Sequence, residues 1–168
     1  RLVTLSSTGD KISGIRWDDI HFNDSEYEKW TAYGQSKTAA SLLAVEVDKR
    51  MKDSGVRAFG VHPGGIMTPL QRHLEQEEMV ALGWMDKDGQ PTERVAKMFK
   101  SATQGASTTL WAATSPQLDG IGGVYCENCE VAAPTDDGEN ARFIGVNDWA
   151  VDSDEASRLW DETEHMLS

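Results

Sequence analysis

Apolar residues along the chain fall into runs that alternate between the two-residue period of strands and the 3.6-residue period of helices. Strands are predicted at residues 2–6, Val56–Val61 and Val124–Cys126. The first of these is predicted to be a buried strand. Helices are predicted at Trp30–Lys52, 103–113 and 153–167. Strands separated by helices at this spacing indicate α/β units around a parallel sheet.

The long helix carries two rows of apolar side chains that keep the helical period. They consist of Ala39, Leu43, Val47 and Met51, and of Ala40, Ala44, Val47 and Met51. We expect these rows to face the core. Gly55 follows and is the natural residue to end the helix.

Two stretches have no clear period. Residues 8–29 are polar and irregular. Residues 69–90 mix charge with apolar side chains, which suits either a mobile substrate flap or a plain pair of surface helices. Four apolar residues there could form a lid over a lipophilic substrate or belong to the core: Met79, Leu82, Trp84 and Met85.

Composition places the chain among soluble globular proteins of one domain. It has 168 residues, of which 39% are hydrophobic and 26% charged. The net charge of −12 argues against nucleic acid or an anionic membrane as a partner. No apolar run reaches the roughly 20 residues of a membrane span, and no signal peptide is visible, so a cytoplasmic location is predicted.

Cys126 and Cys129 form a single Cys-x-x-Cys pair. One such pair supplies half of a four-ligand zinc site, and no second pair of ligands at a matching spacing completes it. No metal site is predicted, and a structural or incidental role is expected for both cysteines.

The spacing of Tyr33 and Lys37 carries the clearest chemical signal. Positions four apart lie on one face of a helix, so the phenol and the ammonium would point into the same space. A neighbouring ammonium lowers the pKa of a Tyr, and moving it from ~10 to ~7 takes about 4 kcal/mol. A hydroxyl from Ser7 could hydrogen-bond the same substrate oxygen. The set predicts proton transfer to or from an alcohol or carbonyl.

Further motifs extend this set along nearly the whole chain. They are Val61-His-Pro-Gly-Gly-Ile-Met-Thr68, Gln104-Gly-Ala106, Leu110-Trp-Ala-Ala-Thr-Ser-Pro116, Gly122-Gly-Val-Tyr125 and, between Ser7 and Tyr33, Trp17-Asp-Asp-Ile20. Together with Ser7, Tyr33 and Lys37, these motifs make the chain resemble the short-chain dehydrogenase/reductase family. The resemblance is greatest to its retinol-dehydrogenase-like branch.

The resemblance implies a doubly wound parallel sheet of Rossmann type that binds NAD or NADP. It implies that Tyr33 is the general acid/base and that Lys37 holds the nicotinamide ribose while lowering the pKa of Tyr33. Ser7 would orient the substrate oxygen. Ser6 is the competing assignment, because only one of two neighbours on an extended segment can face the site.

A second group of residues is assigned by the same resemblance. The turn at Pro63 and Gly64 would lie against the nicotinamide, with the backbone of Ile66 and the side chain of Thr68 reaching its carboxamide. A Pro-Gly turn suits this place because it ends the strand sharply and allows close approach of the backbone to a flat ring.

The chain also departs from the family pattern. The Gly-rich dinucleotide fingerprint, the residue that separates NAD from NADP and the family's catalytic Asn do not occur in it. Residues 1–168 are therefore expected to form the C-terminal half of such a domain, without its N-terminal strands. Two hypotheses remain: part of an NAD(P)-dependent oxidoreductase, or a non-catalytic binding or structural remnant. The long helix could pair with a copy of itself or simply cover the sheet.

Overall fold

In the computed structural model, which describes residues 1–136, 138 and 141–168, the chain divides into two units. The first unit comprises residues 1–63 and 107–168, and the second comprises residues 64–106. No helix of the described ranges is long and apolar enough to cross a membrane.

The first unit is built on an open four-stranded sheet. Its strands are β1 (Leu2–Leu5), β2 (Ala58–His62), β3 (Val124–Glu127) and β4 (Glu130–Val131). They lie in the order β1-β2-β3-β4, with the first two pairings parallel and the last antiparallel. This arrangement confirms the predicted α/β class with a mainly parallel sheet.

Strand β4 was not predicted. It forms a hairpin with β3 through Asn128 and Cys129, whose φ angles are 51° and 60°. Left-handed backbone at both turn residues is the pattern of the tightest hairpins, and Asn tolerates it better than most residues. Two residues are too short a strand for a periodic signal, so the expectation of three strands was wrong.

The described residues of the two units form five α-helices. They are α1 (Lys29–Met51), α2 (Gln76–Ala81), α3 (Glu93–Met98), α4 (Ala102–Thr114) and α5 (Ser153–Leu167). The three predicted helices are confirmed as α1, α4 and α5. Gly55 lies just beyond α1 with φ of 80°, as its role as a stop requires. Asp152 caps α5 by accepting hydrogen bonds from the amides of Asp154 and Glu155.

Alternating side chains of β2 separate the two faces of the sheet. Phe59 and Val61 are fully buried and pack with Ala112 of α4 on one face. Ala58 packs with Ala44 of α1 on the other face, and Gly60 lies against Ser41 of the same helix. Helices therefore cover both faces, as in a doubly wound fold.

One expectation about burial was wrong, and another was right only in part. Residues 2–6 are not a fully buried strand, because β1 is the first strand of the sheet order and its Leu5 is 53% exposed. In α1 the predicted rows agree with the buried face at Ala44 and Val47 only. Leu43 and Met51 are exposed, whereas Leu42 and Val45 are buried.

Polar residues explain the altered face of α1. Four of its buried side chains are Thr38, Ser41, Glu46 and Asp48. The Ser41 hydroxyl donates to Ser6, and Glu46 accepts from Arg50 at 2.6 Å. Buried polar groups are tolerated when they are hydrogen-bonded, so hydrophobic periodicity alone misplaces this face.

Asp48 ties the end of α1 to the start of β2. Its carboxylate accepts two hydrogen bonds from Arg57, at 2.8 and 3.0 Å, and a third from the amide of Ala58 at 3.0 Å. Burial raises the pKa of Asp48, but these bonds outweigh it and the net pKa is below the ordinary value. The carboxylate is thus held charged in a site with 5% exposure.

We expect Asp48→Ala to lower the free energy of unfolding by about 3 kcal/mol, because it leaves a partly buried guanidinium and a buried amide without an acceptor. Urea denaturation at pH 7 measures the loss. Asp53→Ala, at an exposed position beyond α1, is the control and should change stability by less than about 0.5 kcal/mol. Equal stability of both variants would contradict the assignment of Asp48 as an anchor.

The second unit holds α2 and α3 and the stretch predicted as a flap. Residues Pro69–His73 form a 3₁₀ turn, so the stretch contains short helices, and its mobility stays a prediction. The indole of Trp84 meets the ring of Phe99 edge-on at 5.7 Å. Thr92 donates to the carbonyl of Gly83 at 2.8 Å and closes the segment between them. The four residues of the predicted lid are half-buried in this unit.

Candidate active site

Helix α1 places Tyr33 and Lys37 near the carboxyl end of β1. The Lys37 ammonium lies 5.4 Å from the centre of the Tyr33 ring and donates to the carbonyl of Leu5 at 3.3 Å. Trp30, one turn earlier, meets the Tyr33 ring edge-on at 6.2 Å and 87°. Tyr33 and Lys37 are both half-buried, and they share one face of the helix as their spacing predicts.

The two serines after β1 have different surroundings. Ser6 is 3% exposed, donates to the carbonyl of Lys37 at 2.8 Å and accepts from Ser41 at 2.9 Å. Ser7 is half-buried, and its hydroxyl accepts from the amide of Gly9 at 3.1 Å. That bond makes Ser7 the N-cap of a 3₁₀ turn at Thr8–Lys11. Ser6 is occupied in joining β1 to α1, whereas Ser7 lies at the start of the turn beside Tyr33.

Two glycines allow this turn to lie directly on α1. A Cβ atom at Gly9 would stand 2.5 Å from Cε1 of Tyr33 and 3.5 Å from the hydroxyl oxygen of Ser7. A Cβ atom at Gly34 would stand 2.8 Å from the carbonyl oxygen of Gly9 and 2.9 Å from Cβ of Ile12. The glycines therefore let the turn that begins at Ser7 pack directly against the Tyr33 ring.

The sequence reasoning missed both glycines as site residues. A signal existed for Gly34, because a glycine inside a helix costs about 1 kcal/mol relative to Ala and often marks close packing. No comparable signal marked Gly9, which stands in a polar irregular stretch.

The residues predicted to line the nicotinamide are divided between the units. Pro63 follows β2 in the first unit, whereas Gly64, Ile66 and Thr68 belong to the second. Gly64 has φ of 96°, which only glycine adopts readily. Atoms of the Lys100 side chain lie within 3.0 Å of the point where a Gly64 Cβ would stand.

Within the second unit, the segment after Gly64 is held by its own hydrogen bonds. The amide of Lys100 donates to the carbonyl of Gly65 at 2.8 Å. The side chain of Gln71 donates to the carbonyl of Ile66 at 2.9 Å and accepts from the amide of Thr68 at 2.7 Å. Thr68 also caps the 3₁₀ turn that follows it. The predicted Pro-Gly turn thus leads into a segment with its own hydrogen bonds.

A group of buried polar residues lies on the α1 side of the sheet and was not predicted. We call Asp10, Tyr125 and Glu127 the acid cluster. Their exposures are 0%, 2% and 3%. Burial raises the pKa of Asp10 to about 7, although the neighbouring Lys11 ammonium opposes the shift. Burial also raises the pKa of Tyr125 above its ordinary value.

The cysteines have no ligand geometry in this site. Cys126 is fully buried in β3, and burial raises the pKa of its thiol to about 12. Cys129 lies in the hairpin turn, where its amide donates to the Thr108 hydroxyl at 3.2 Å. Within the described part of the chain, no three His, Cys, Asp or Glu side chains are grouped so that they could hold a metal ion.

Comparison with known proteins gives sequence matches over essentially the whole chain. It is 37% identical to the short-chain dehydrogenase/reductase prx1 of Penicillium roqueforti, covering 100% of this chain and 47% of that protein. It is 37% identical to a protein of Streptomyces lividans named as a probable oxidoreductase, covering 100% of this chain and 55% of that one. It is 30% identical to retinol dehydrogenase 12 of Mus musculus, covering 99% of this chain and 45% of that protein. No protein-family model matches the chain.

A solved structure shows the same fold. The chain superposes on the crystal structure of an uncharacterised protein from Mycobacterium paratuberculosis with a TM-score of 0.61 and 24% identity. The match covers 97% of this chain and 48% of that one. The chain spans about half the length of the curated relatives it matches. Over its whole length the chain is thus similar to proteins named as short-chain dehydrogenase/reductases, oxidoreductases and retinol dehydrogenases, and it matches the C-terminal portion of them.

Proposed function

We propose that the chain carries the proton-transfer residues of an NAD- or NADP-dependent oxidoreductase that interconverts an alcohol and a carbonyl. The observation that supports this proposal is the convergence of Tyr33, Lys37 and Ser7 at the carboxyl end of β1. Ligands of open parallel sheets bind at the carboxyl ends of the strands. The named activities of the relatives agree with an oxidoreductase.

Tyr33 acts as the general acid when a carbonyl is reduced and as the general base when an alcohol is oxidised. In the reductive direction its phenolic proton moves to the substrate oxygen, and the Lys37 ammonium stabilises the phenolate left behind. The Ser7 hydroxyl donates a hydrogen bond to the same substrate oxygen, which accumulates negative charge as the reaction proceeds. Ser6 supports the site by joining β1 to α1.

The residues near Tyr33 fit a nicotinamide cofactor. An ammonium has three donors, and the Lys37 ammonium uses one in a long bond to Leu5, which leaves donors for the two ribose hydroxyls. Pro63, Gly64, Ile66 and Thr68 would hold the nicotinamide ring and its carboxamide. When bound, the cofactor supplies or accepts the hydride. Tyr33 then transfers only the proton.

The substrate class that we propose is a small alcohol or carbonyl compound of lipophilic character. Two relatives are named as retinol dehydrogenases. The lid residues of the second unit are half-buried and apolar, which suits a lipophilic substrate. We also propose that the protein pairs with a copy of itself through α1, where Leu43 and Met51 remain exposed, and that it is cytoplasmic.

Turnover by the whole protein that contains this chain tests the function. Aldehydes and alcohols of increasing chain length are offered with each of NAD(H) and NADP(H), and the absorbance of the reduced nicotinamide is followed. We expect turnover with one cofactor and a lower KM for longer apolar chains. Absence of turnover with either cofactor in either direction would contradict the proposal.

We expect Lys37→Met to weaken binding of the preferred cofactor by about 10- to 100-fold, because hydrogen bonds to a charged group contribute about 1.5–3 kcal/mol each. Isothermal titration calorimetry on the whole protein measures the dissociation constant. Lys29→Met, at the exposed start of α1, is the control and should change affinity by less than twofold. An unchanged dissociation constant for Lys37→Met would remove Lys37 from the cofactor site.

The alternative, a non-catalytic binding or structural module, keeps one observation in its favour: the chain spans about half of its relatives. Calorimetry on the 168-residue chain distinguishes the two. The oxidoreductase proposal expects negligible nicotinamide affinity for the chain alone and micromolar affinity for the whole protein. Equal, negligible affinity in both would favour the alternative.

A further inference from the structure

The acid cluster contains four side-chain oxygens that have no hydrogen-bond partner among the described residues. They are both carboxyl oxygens of Asp10, the hydroxyl of Tyr125 and one carboxyl oxygen of Glu127. The other oxygen of Glu127 accepts from the amide of Gly145 at 2.7 Å. Unpartnered buried oxygens are costly, and here they are concentrated in one place.

A single extra proton adds a donor to the cluster. The Asp10 carboxyl interacts with Tyr125 and Glu127. If Asp10 is protonated, its O–H and the Tyr125 O–H are two donors among the buried oxygens of the cluster. If Asp10 is ionised, the cluster holds two buried carboxylates, and the Tyr125 O–H is shared among their unpartnered oxygens. Burial favours the first arrangement and raises the pKa of Asp10 to about 7.

The groups that surround Asp10 come from four elements. Its own turn contributes Lys11. The Lys11 ammonium donates hydrogen bonds to the Thr135 hydroxyl and the Ile144 carbonyl, and it is also attracted by the Asp136 carboxylate. Strand β3 contributes Tyr125 and Glu127. The Trp149 indole donates to the Asp10 carbonyl at 3.1 Å. The Thr38 hydroxyl of α1 donates to the Ser13 carbonyl at 2.7 Å and lies 3.2 Å from the Asp10 carbonyl.

We propose that Asp10 is a positioning residue for the candidate active site, and that its protonated carboxyl holds the Thr8–Lys11 turn in the place that aligns Ser7 with Tyr33. Asp10 and Gly9 are neighbours in this turn, and Gly9 lies against the Tyr33 ring. Loss of the proton leaves Asp10 and Glu127 as two buried, negatively charged carboxylates, and their repulsion displaces the turn. The functional part of this inference rests on the proposed function of Ser7 and Tyr33.

Nuclear magnetic resonance on the 168-residue chain tests the geometric part without turnover. The carboxyl carbon of Asp10, the amide of Gly9 and the indole N–H of Trp149 are followed from pH 4 to pH 9. We expect all three to shift together with a midpoint near pH 7. Asp10→Asn keeps a neutral carbonyl and amide in place and should remove the shifts, whereas the exposed control Asp18→Asn should keep them.

Two outcomes would overturn the inference. Titration of Asp10 below pH 5 would show that the carboxyl is charged at neutral pH. A midpoint near pH 7 without any shift of the Gly9 amide would show that the proton does not position the turn. If Asp10→Asn fails to fold, the wild-type titration and the Asp18→Asn control still decide between these outcomes.

The pH dependence of stability gives an independent measurement. A carboxyl whose pKa rises on folding from 3.8 to about 7 binds its proton more tightly in the folded state. Its contribution to stability is fully present below pH 4 and is lost as the pH rises to about 7. We expect the difference in stability between Asp10→Asn and the wild type to grow in favour of the variant over that range. A pH-independent difference would contradict the inference.

Turnover by the whole protein tests the functional part. We expect kcat/KM of the wild type to fall above about pH 7 and the fall to be absent in Asp10→Asn. If the wild type shows no turnover, the proposed function fails while the resonance measurements still decide the role of Asp10. If turnover occurs and both proteins share one alkaline limb, the positioning role fails and the proposed function stands.

Discussion

Replacement of Tyr33 by Phe should reduce kcat of the whole protein by about 10²- to 10⁴-fold, because it removes the one group assigned to proton transfer. Phe keeps the ring, and with it the contacts to Gly9, Trp30 and the Lys37 ammonium. Cofactor affinity should therefore change by less than about threefold. Steady-state kinetics and calorimetric titration of the cofactor on the same preparation measure the two effects separately.

Tyr27→Phe is the matched control for this substitution. Tyr27 is 67% exposed and packs edge-on against Phe22, outside the candidate active site. Its loss of a hydroxyl should leave both kcat and cofactor affinity unchanged. Retained turnover in Tyr33→Phe would remove Tyr33 from the mechanism, and an equal loss of cofactor affinity would show that the substitution damaged the binding site instead.

Addition of one methyl group at Gly9 should reduce kcat by about 10²-fold while the protein remains folded. The new Cβ would stand 2.5 Å from the Tyr33 ring, so the ring or the turn must move by roughly 1 Å. The free energy of unfolding should fall by about 1–3 kcal/mol, as for other overpacked sites. Kinetics and urea denaturation of Gly9→Ala measure both quantities.

Gly14→Ala controls for the general effect of replacing a glycine. A Cβ at Gly14 would meet its nearest neighbour, the Trp149 ring, at 3.6 Å, which is an ordinary contact. The loss of backbone freedom in the unfolded chain is the same in both variants. Wild-type kcat in Gly9→Ala would show that the close packing of the turn on Tyr33 has no catalytic consequence.

The parts of this fold that the sequence predicts are those whose signals are local. Gly55 ends the 3₁₀ turn that follows α1, and Asp152 caps the start of α5, because each boundary depends on one residue and its near neighbours. The shared face of Tyr33 and Lys37 is equally local, since a four-residue spacing in a helix fixes it.

The parts that escaped prediction depend on contacts between distant positions. The buried face of α1 includes Asp48 because Arg57, beyond the helix, supplies its partner. The close approach of Gly9 to Tyr33 joins positions in different elements, and no pattern in either segment encodes it. Asp10 reads as an ordinary polar residue in an irregular stretch until β3 brings Glu127 beside it.

The small residues on one side of β2 have an evolutionary consequence. A Cβ at Gly60 would stand 3.4 Å from Cα of Ser41, so α1 lies almost directly on the strand. Ser41 in turn bonds Ser6, and α1 carries Tyr33 and Lys37. A larger side chain at position 60 would lift the helix and its reactive groups together. During evolution, position 60 can therefore accept only small residues, unless a smaller residue at position 41 makes room for a larger one.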